Sequence, residues 1–94
     1  MTETFPYIES DAPVSHPGGM LAEELEVRGV SQRELARRIG RPFQVINEIV
    51  RGLRAITPEI ARQLEGEFGT PAYLWLGLQA KYDDDAARRK SPGS

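Results

Sequence analysis

The sequence predicts an all-α protein of five short helices preceded by an irregular acidic segment. Three observations carry this prediction. From residue 17 onward, apolar residues recur at spacings of three and four, and no stretch alternates with the period of two that a half-buried strand requires. Glycine or proline stands at most of the predicted boundaries. The connections are short, as in a helical domain folded around one core.

The elements follow in order. Residues 1–16 hold no period, being broken by Pro6 and Pro13 and carrying Glu9 and Asp11, although Phe5, Tyr7 and Ile8 are apolar enough to pack on the domain or on a partner. Pro17 suits a first helical position, where its missing N–H is not needed. Leu21 and Leu25 share a face there, Glu23, Glu24 and Glu26 fall mostly off it, and Gly29 is a stop. Ser31-Gln32-Arg33-Glu34 has the form of a capping box, the Ser hydroxyl accepting the Glu34 N–H and the Glu carboxylate reaching back to the Ser N–H. Leu35, Ala36 and Ile39 make the buried stripe that follows, and Gly40 ends it. At about nine residues this helix is too short to persist without packing.

A third pattern begins after Gly40-Arg41-Pro42. Ile46, Ile49 and Val50 point one way, while Phe43, Gln44, Asn47, Glu48 and Arg51 lie largely on other faces, and Gly52 closes it. Residues 53–56 are a linker. Thr57-Pro58 supplies an N-cap and a first-position proline for a fourth helix with Ile60, Leu64 and Phe68 on one face, ended by Gly69. Gly66 within it costs roughly 1 kcal/mol against alanine. Thr70-Pro71 opens the last helix in the same way, over about 71–83, with Leu74, Trp75, Leu78 and Tyr82. Residues 84–94 read as a flexible tail.

The composition narrows the function classes. With 94 residues the chain has one core's worth of length. It has no cysteine, so neither a disulfide nor a thiolate site exists. No apolar run approaches the ~20 residues that span a bilayer, and no basic-then-apolar leader opens the chain, so a cytoplasmic location is expected. The net charge of −2 conceals an uneven distribution. Residues 1–27 carry six acids and no Lys or Arg; residues 28–62 carry eight Arg against three Glu; residues 63–94 are nearly balanced. His16 is the only histidine, and no carboxylate pair has a base or metal partner, so no catalytic residue, metal site or cofactor is expected and the chain reads as a non-enzyme. Asp83-Asp84-Asp85 reads as a solvated helix end.

The stretch 32–52 carries the functional signal. A short helix, a glycine-containing turn and a second crossing helix define a helix-turn-helix. Ala36 is small where the second helix crosses, Gly40 suits a positive-φ turn, and Ile39, Ile46 and Ile49 join the pair. An ordinary helical hairpin in a bundle has the same apolar spacing and is the competing reading. In the helix-turn-helix reading, the helix starting near Phe43 lies in the major groove of double-stranded DNA with its N-terminal part at the base edges. Gln44 and Asn47 can pair bidentately with adenine. Phe43 either touches a thymine methyl or packs on the core or a partner. Arg41 reaches a phosphate or a guanine. Gln32 and Arg33, at the first helix start, and Arg51 and Arg54, past the second helix, are placed for phosphates. Glu48 opposes DNA unless it accepts from a cytosine amine.

Further residues carry a resemblance. His16-Pro17-Gly18, Ser31-Gln-Arg-Glu-Leu-Ala36, Gly40, Ile46-Asn-Glu-Ile49, Gly52, Ile56-Thr-Pro-Glu59, Leu64 and Trp75-Leu76-x-Leu78-Gln79-Ala80-x-Tyr82 occur in order. Over residues 15–83 the chain resembles the HigA-type antitoxins of bacterial toxin–antitoxin modules, within the lambda-repressor-like (XRE) helix-turn-helix group. The closing Trp-Leu-x-Leu-Gln-Ala-x-Tyr is the most specific part. The resemblance implies a homodimer that binds palindromic operator DNA in its own promoter and neutralises a RelE/HigB-like toxin that cleaves mRNA. It also implies that the C-terminal helix contributes to the dimer. Tyr73, Leu74, Trp75 and Leu78 fit such an interface and fit a core equally well. The chain departs from the family pattern at Pro42, where a serine is usual, at Phe43, where a small or polar residue is usual, and in its longer acidic head. Two other functions compete: a repressor without a toxin partner, and a protein-interaction module whose helix-turn-helix no longer reads DNA.

Overall fold

A computed structural model describes residues 16–90. It contains α1 (Pro17–Arg28), α2 (Gln32–Ile39), α3 (Phe43–Val50), α4 (Pro58–Phe68) and α5 (Ala72–Lys90), with no strand among the described residues. The acidic segment 1–15, with Phe5, Tyr7 and Ile8, and the end of the expected tail, 91–94, lie outside the described residues.

Three helix starts are closed by side chains. His16 Nδ1 accepts the Gly18 N–H at 2.9 Å, Ser31 Oγ accepts the Glu34 N–H at 3.0 Å, and Thr57 Oγ1 accepts the Ile60 N–H at 3.3 Å. Each satisfies an amide that the first turn leaves without a partner. Only half of the capping box forms. The Glu34 carboxylate turns along the helix to Arg37 and Arg38 instead of back to the Ser31 N–H. Two guanidiniums one turn away outcompete a single neutral amide for a carboxylate.

The last helix differs from expectation at both ends. It starts at Ala72, whose N–H donates to Glu65 Oε1 of α4 at 3.0 Å, so its cap crosses from the preceding helix and not from Thr70. It runs to Lys90, well past the end expected near residue 83. Asp84 pairs with Arg88, and Asp85 with Arg89 at 3.0 Å. Acid four residues before base is the stabilising order on a helix. The charge run taken for a flexible tail therefore extends the helix through 84–90.

One core joins all five helices. Leu21 and Leu25 of α1, Leu35 and Ala36 of α2, Ile46 and Ile49 of α3, Ile60 and Leu64 of α4 and Trp75 of α5 are buried in it. Such side chains contribute roughly 1.5–3 kcal/mol each when fully removed from water. Trp75 is fully buried, which selects the core over the dimer interface for this residue. Its indole is too large to leave half-solvated when α4 and α1 both pack on α5. Gln79, one turn further on, is also buried: its Oε1 accepts the Ile56 N–H at 2.9 Å and its Nε2 donates to Asp83 at 2.9 Å. The irregular linker is thereby fastened to α5.

Two glycines set the positions of α2 and α1 against α3. Gly40 takes φ 69°, a left-handed conformation that disfavours a Cβ, and turns the chain from α2 into α3. Gly18 lets the α1 backbone meet that of α3: a Cβ there would lie 1.8 Å from the Ile49 carbonyl oxygen.

Candidate nucleic-acid interface

The crossing of α2 and α3 decides what faces out. Ile46 and Ile49 seal one side of α3 against the core, so Gln44, Asn47 and Glu48 are left on the opposite side. Gln44 is exposed; Asn47 and Glu48 are half-buried. Pro42 stands at the N-cap without a side-chain hydrogen bond, as expected for a residue with no hydroxyl, and the Val45 N–H reaches its carbonyl at 3.0 Å.

The predicted site residues fall into one group with one outlier. Asn47 Nδ2 donates to Gln32 Oε1 at 3.1 Å, tying the start of α2 to α3. The Arg33 guanidinium lies over the Phe43 ring, 4.3 Å from its centroid. Phe43 is half-buried and packs against the core edge. Gln44 Nε2 donates to Glu48 Oε2 at 3.1 Å, and Arg54 Nε donates to Glu48 Oε1 at 2.8 Å. Arg51 is exposed at the end of α3.

Arg41 is the outlier. Its Nε donates to Gln63 Oε1 at 2.9 Å and its Nη2 to Glu59 Oε1 at 3.2 Å, both on α4. Acceptors four residues apart on α4 lie within reach of the turn, so Arg41 braces α4, beside a surface pocket that it lines together with Arg54.

The electrostatics follow from these pairings. Arg54 and the Gln44 amide hold the Glu48 carboxyl below the usual carboxylate range. Arg37 and Arg38 do the same for Glu34. The outward face is therefore a set of polar side chains that satisfy one another, with Arg33, Arg51 and Arg54 at its rim. Among the described residues, no three His, Cys, Asp or Glu side chains come together as a metal-ligand set, and no helix is long and apolar enough to cross a membrane.

Two interactions escaped the sequence reading, the Arg54–Glu48 pair and the tie of Gln79 to the linker. Arg54 and Glu48 are separated by a helix end and a turn, so no spacing rule links them. Gln79 was legible in principle: it follows Trp75 at i+4 and shares its inward face.

This arrangement defines a helix-turn-helix domain, and residues 21–75 match the helix-turn-helix family. Virulence-associated protein I of Dichelobacter nodosus is 40% identical over 81 residues, covering 85% of this chain and 75% of that relative. An addiction module antidote protein of the HigA family from Coxiella burnetii superposes with a TM-score of 0.80 and 38% identity, over 85% of this chain and 88% of that one. The Pseudomonas aeruginosa antitoxin HigA, solved with the higBA promoter, superposes with a TM-score of 0.79 and 33% identity, over 82% of this chain and 85% of that one. The chain belongs to the HigA family of helix-turn-helix antitoxins.

Proposed function

We propose that this protein is an antitoxin that binds operator DNA in its own promoter as a homodimer, represses that operon, and neutralises a basic, RelE/HigB-like mRNA-cleaving toxin. The observation that carries the DNA part is the outward polar face of α3, left uncovered because Ile46 and Ile49 turn the opposite side of the helix into the core. Gln44 and Asn47 read base edges from this face, while Gln32, Arg33, Arg51 and Arg54 meet phosphates around it. Similarity to an antitoxin solved with promoter DNA supports this orientation.

Dimerisation is assigned to the exposed face of α5. Tyr73 is 77% and Leu74 40% exposed, and with Gly77, Leu78 and Lys81 they line a shallow apolar groove. A second copy seated there buries side chains that the core leaves in water. The two α3 helices then address half-sites about one duplex turn, ~34 Å, apart. The toxin part is supported by the family and by the exposed Glu23 and Glu26 of α1, which suit a basic partner.

Co-purification with the product of the adjacent reading frame, followed by footprinting of the upstream DNA across a salt series, tests this reading. The expected result is a stable complex with a small basic protein, and a protected palindrome whose affinity falls steeply between ~50 and ~200 mM salt. A chain that protects no upstream DNA at low salt overturns the DNA part. A chain that binds operator DNA and leaves the neighbouring product free overturns the toxin part alone.

A further inference from the structure

Glu48 occupies the middle of the outward face, where a carboxylate carries the wrong charge for a polyanion. Both of its oxygens are engaged. Oε1 receives Arg54 at 2.8 Å, and Oε2 receives the Gln44 amide at 3.1 Å. The assigned base reader and the assigned phosphate clamp are thus tied to one carboxylate. Gln44 lies one turn before Glu48, and Arg54 comes from the linker beyond α3, so this single group spans the face from end to end.

We propose that Glu48 is the specificity-determining residue of α3: it withholds Gln44 and Arg54 from arbitrary DNA and releases them to a site that presents a cytosine amine. The proposal rests on the DNA-reading orientation given above. On a sequence without a suitable donor, Arg54 can reach a phosphate only by leaving Glu48 unpaired beside the phosphate backbone. That raises the free energy of every non-cognate complex. At a cognate site the cytosine N4 amine donates to Glu48 in place of Gln44. The Gln44 amide is then free to pair with a neighbouring adenine through both of its atoms. Cytosine fits better than adenine at Glu48, because the adenine donor stands beside the N7 acceptor, which repels a carboxylate. Arg54 and Gln44 keep this carboxyl ionised near neutrality, so it accepts and cannot donate to a guanine edge.

The test uses the intact protein and a random duplex pool, with anisotropy titrations against a fixed mixed-sequence duplex as the non-cognate probe. The wild-type protein is expected to enrich a site with a fixed C·G pair under α3. Glu48→Gln is expected to lose the preference at that pair alone. It should also bind the non-cognate duplex roughly tenfold more tightly at low salt, with a salt slope steeper by about 0.9 per protomer. Arg54→Gln should weaken non-cognate binding and keep the C·G preference. If Glu48→Gln loses helical circular dichroism, Glu48→Ala replaces it in the same comparison. A wild-type site recovered unchanged by the folded Glu48 variant, with unchanged non-cognate affinity, overturns the role of Glu48. A wild-type protein that enriches no duplex overturns the orientation of α3 itself, and the role of Glu48 with it.

Discussion

The outward face of α3 and the exposed face of α5 are both left uncovered by the core, and they are made of opposite materials. On α3, polar side chains have already found one another: Asn47 with Gln32, Gln44 and Arg54 with Glu48. On α5, Tyr73 and Leu74 are apolar and solvated. A polar face exchanges one set of hydrogen bonds for another with a modest net gain, so its partner can come and go. An apolar face gains only by burial and keeps its partner for as long as that partner is present. The first suits a ligand bound under regulation, the second a subunit.

Four measurements break or sharpen this contrast, in descending order of effect. Trp75→Ala removes the indole from the core and should cost about 3–5 kcal/mol of folding stability, read by denaturant unfolding at any protein concentration. Its exposed neighbour should behave otherwise. Leu74→Glu is expected to leave the protomer folded, abolish the dimer in sedimentation, and weaken operator binding roughly 100-fold through lost bivalency. If the two variants behaved alike, the division of α5 into an inner and an outer face would be wrong. On α3, Gln44→Ala should leave folding stability unchanged and weaken operator binding by about 1–3 kcal/mol while relaxing one base preference. The smallest effect belongs to His16, which caps α1 and meets the Tyr82 ring of α5 edge-on, 4.8 Å between centroids. Burial pushes its ring below the usual histidine range, against the opposing pull of Asp83. The neutral ring accepts the Gly18 N–H, so its contribution to stability is present above the ordinary histidine value of about 6.5 and is lost as pH falls toward the lower folded value. His16→Asn retains a capping acceptor that does not titrate. Its thermal unfolding should vary less between about pH 7 and pH 5 than that of the wild type, by at most about 1 kcal/mol.

The parts of the fold that rest on local chemistry were legible in the sequence. Pro17, Ser31, Thr57, Gly29, Gly40 and Gly69 act at helix ends within a few residues of where they stand, and their roles follow from their own side chains or lack of one. The outward side of α3 was legible for the same reason, since Ile46 and Ile49 fix its inward side. What escaped depends on distant partners. The ties of Arg41 to α4 were hidden because the sequence does not reveal that Glu59 and Gln63 come within reach of it. Trp75 was left between core and interface, because a strongly apolar helix start has two candidate buried faces until its neighbours are known. The end of α5 was missed where composition suggested disorder, although the four-residue offset of Asp84 and Asp85 from Arg88 and Arg89 was available to be counted.

Gln79 joins the last helix to the linker that follows α3. Its amide is the screw between α5 and the stretch that carries Arg54, and it needs both of its ends: an oxygen toward the Ile56 N–H and a nitrogen toward Asp83. A glutamate would set two anions side by side, and a methionine would strand a buried amide. The amide thus fixes the position of residues 53–56, and with them the start of the Arg54 side chain, to the inner face of α5.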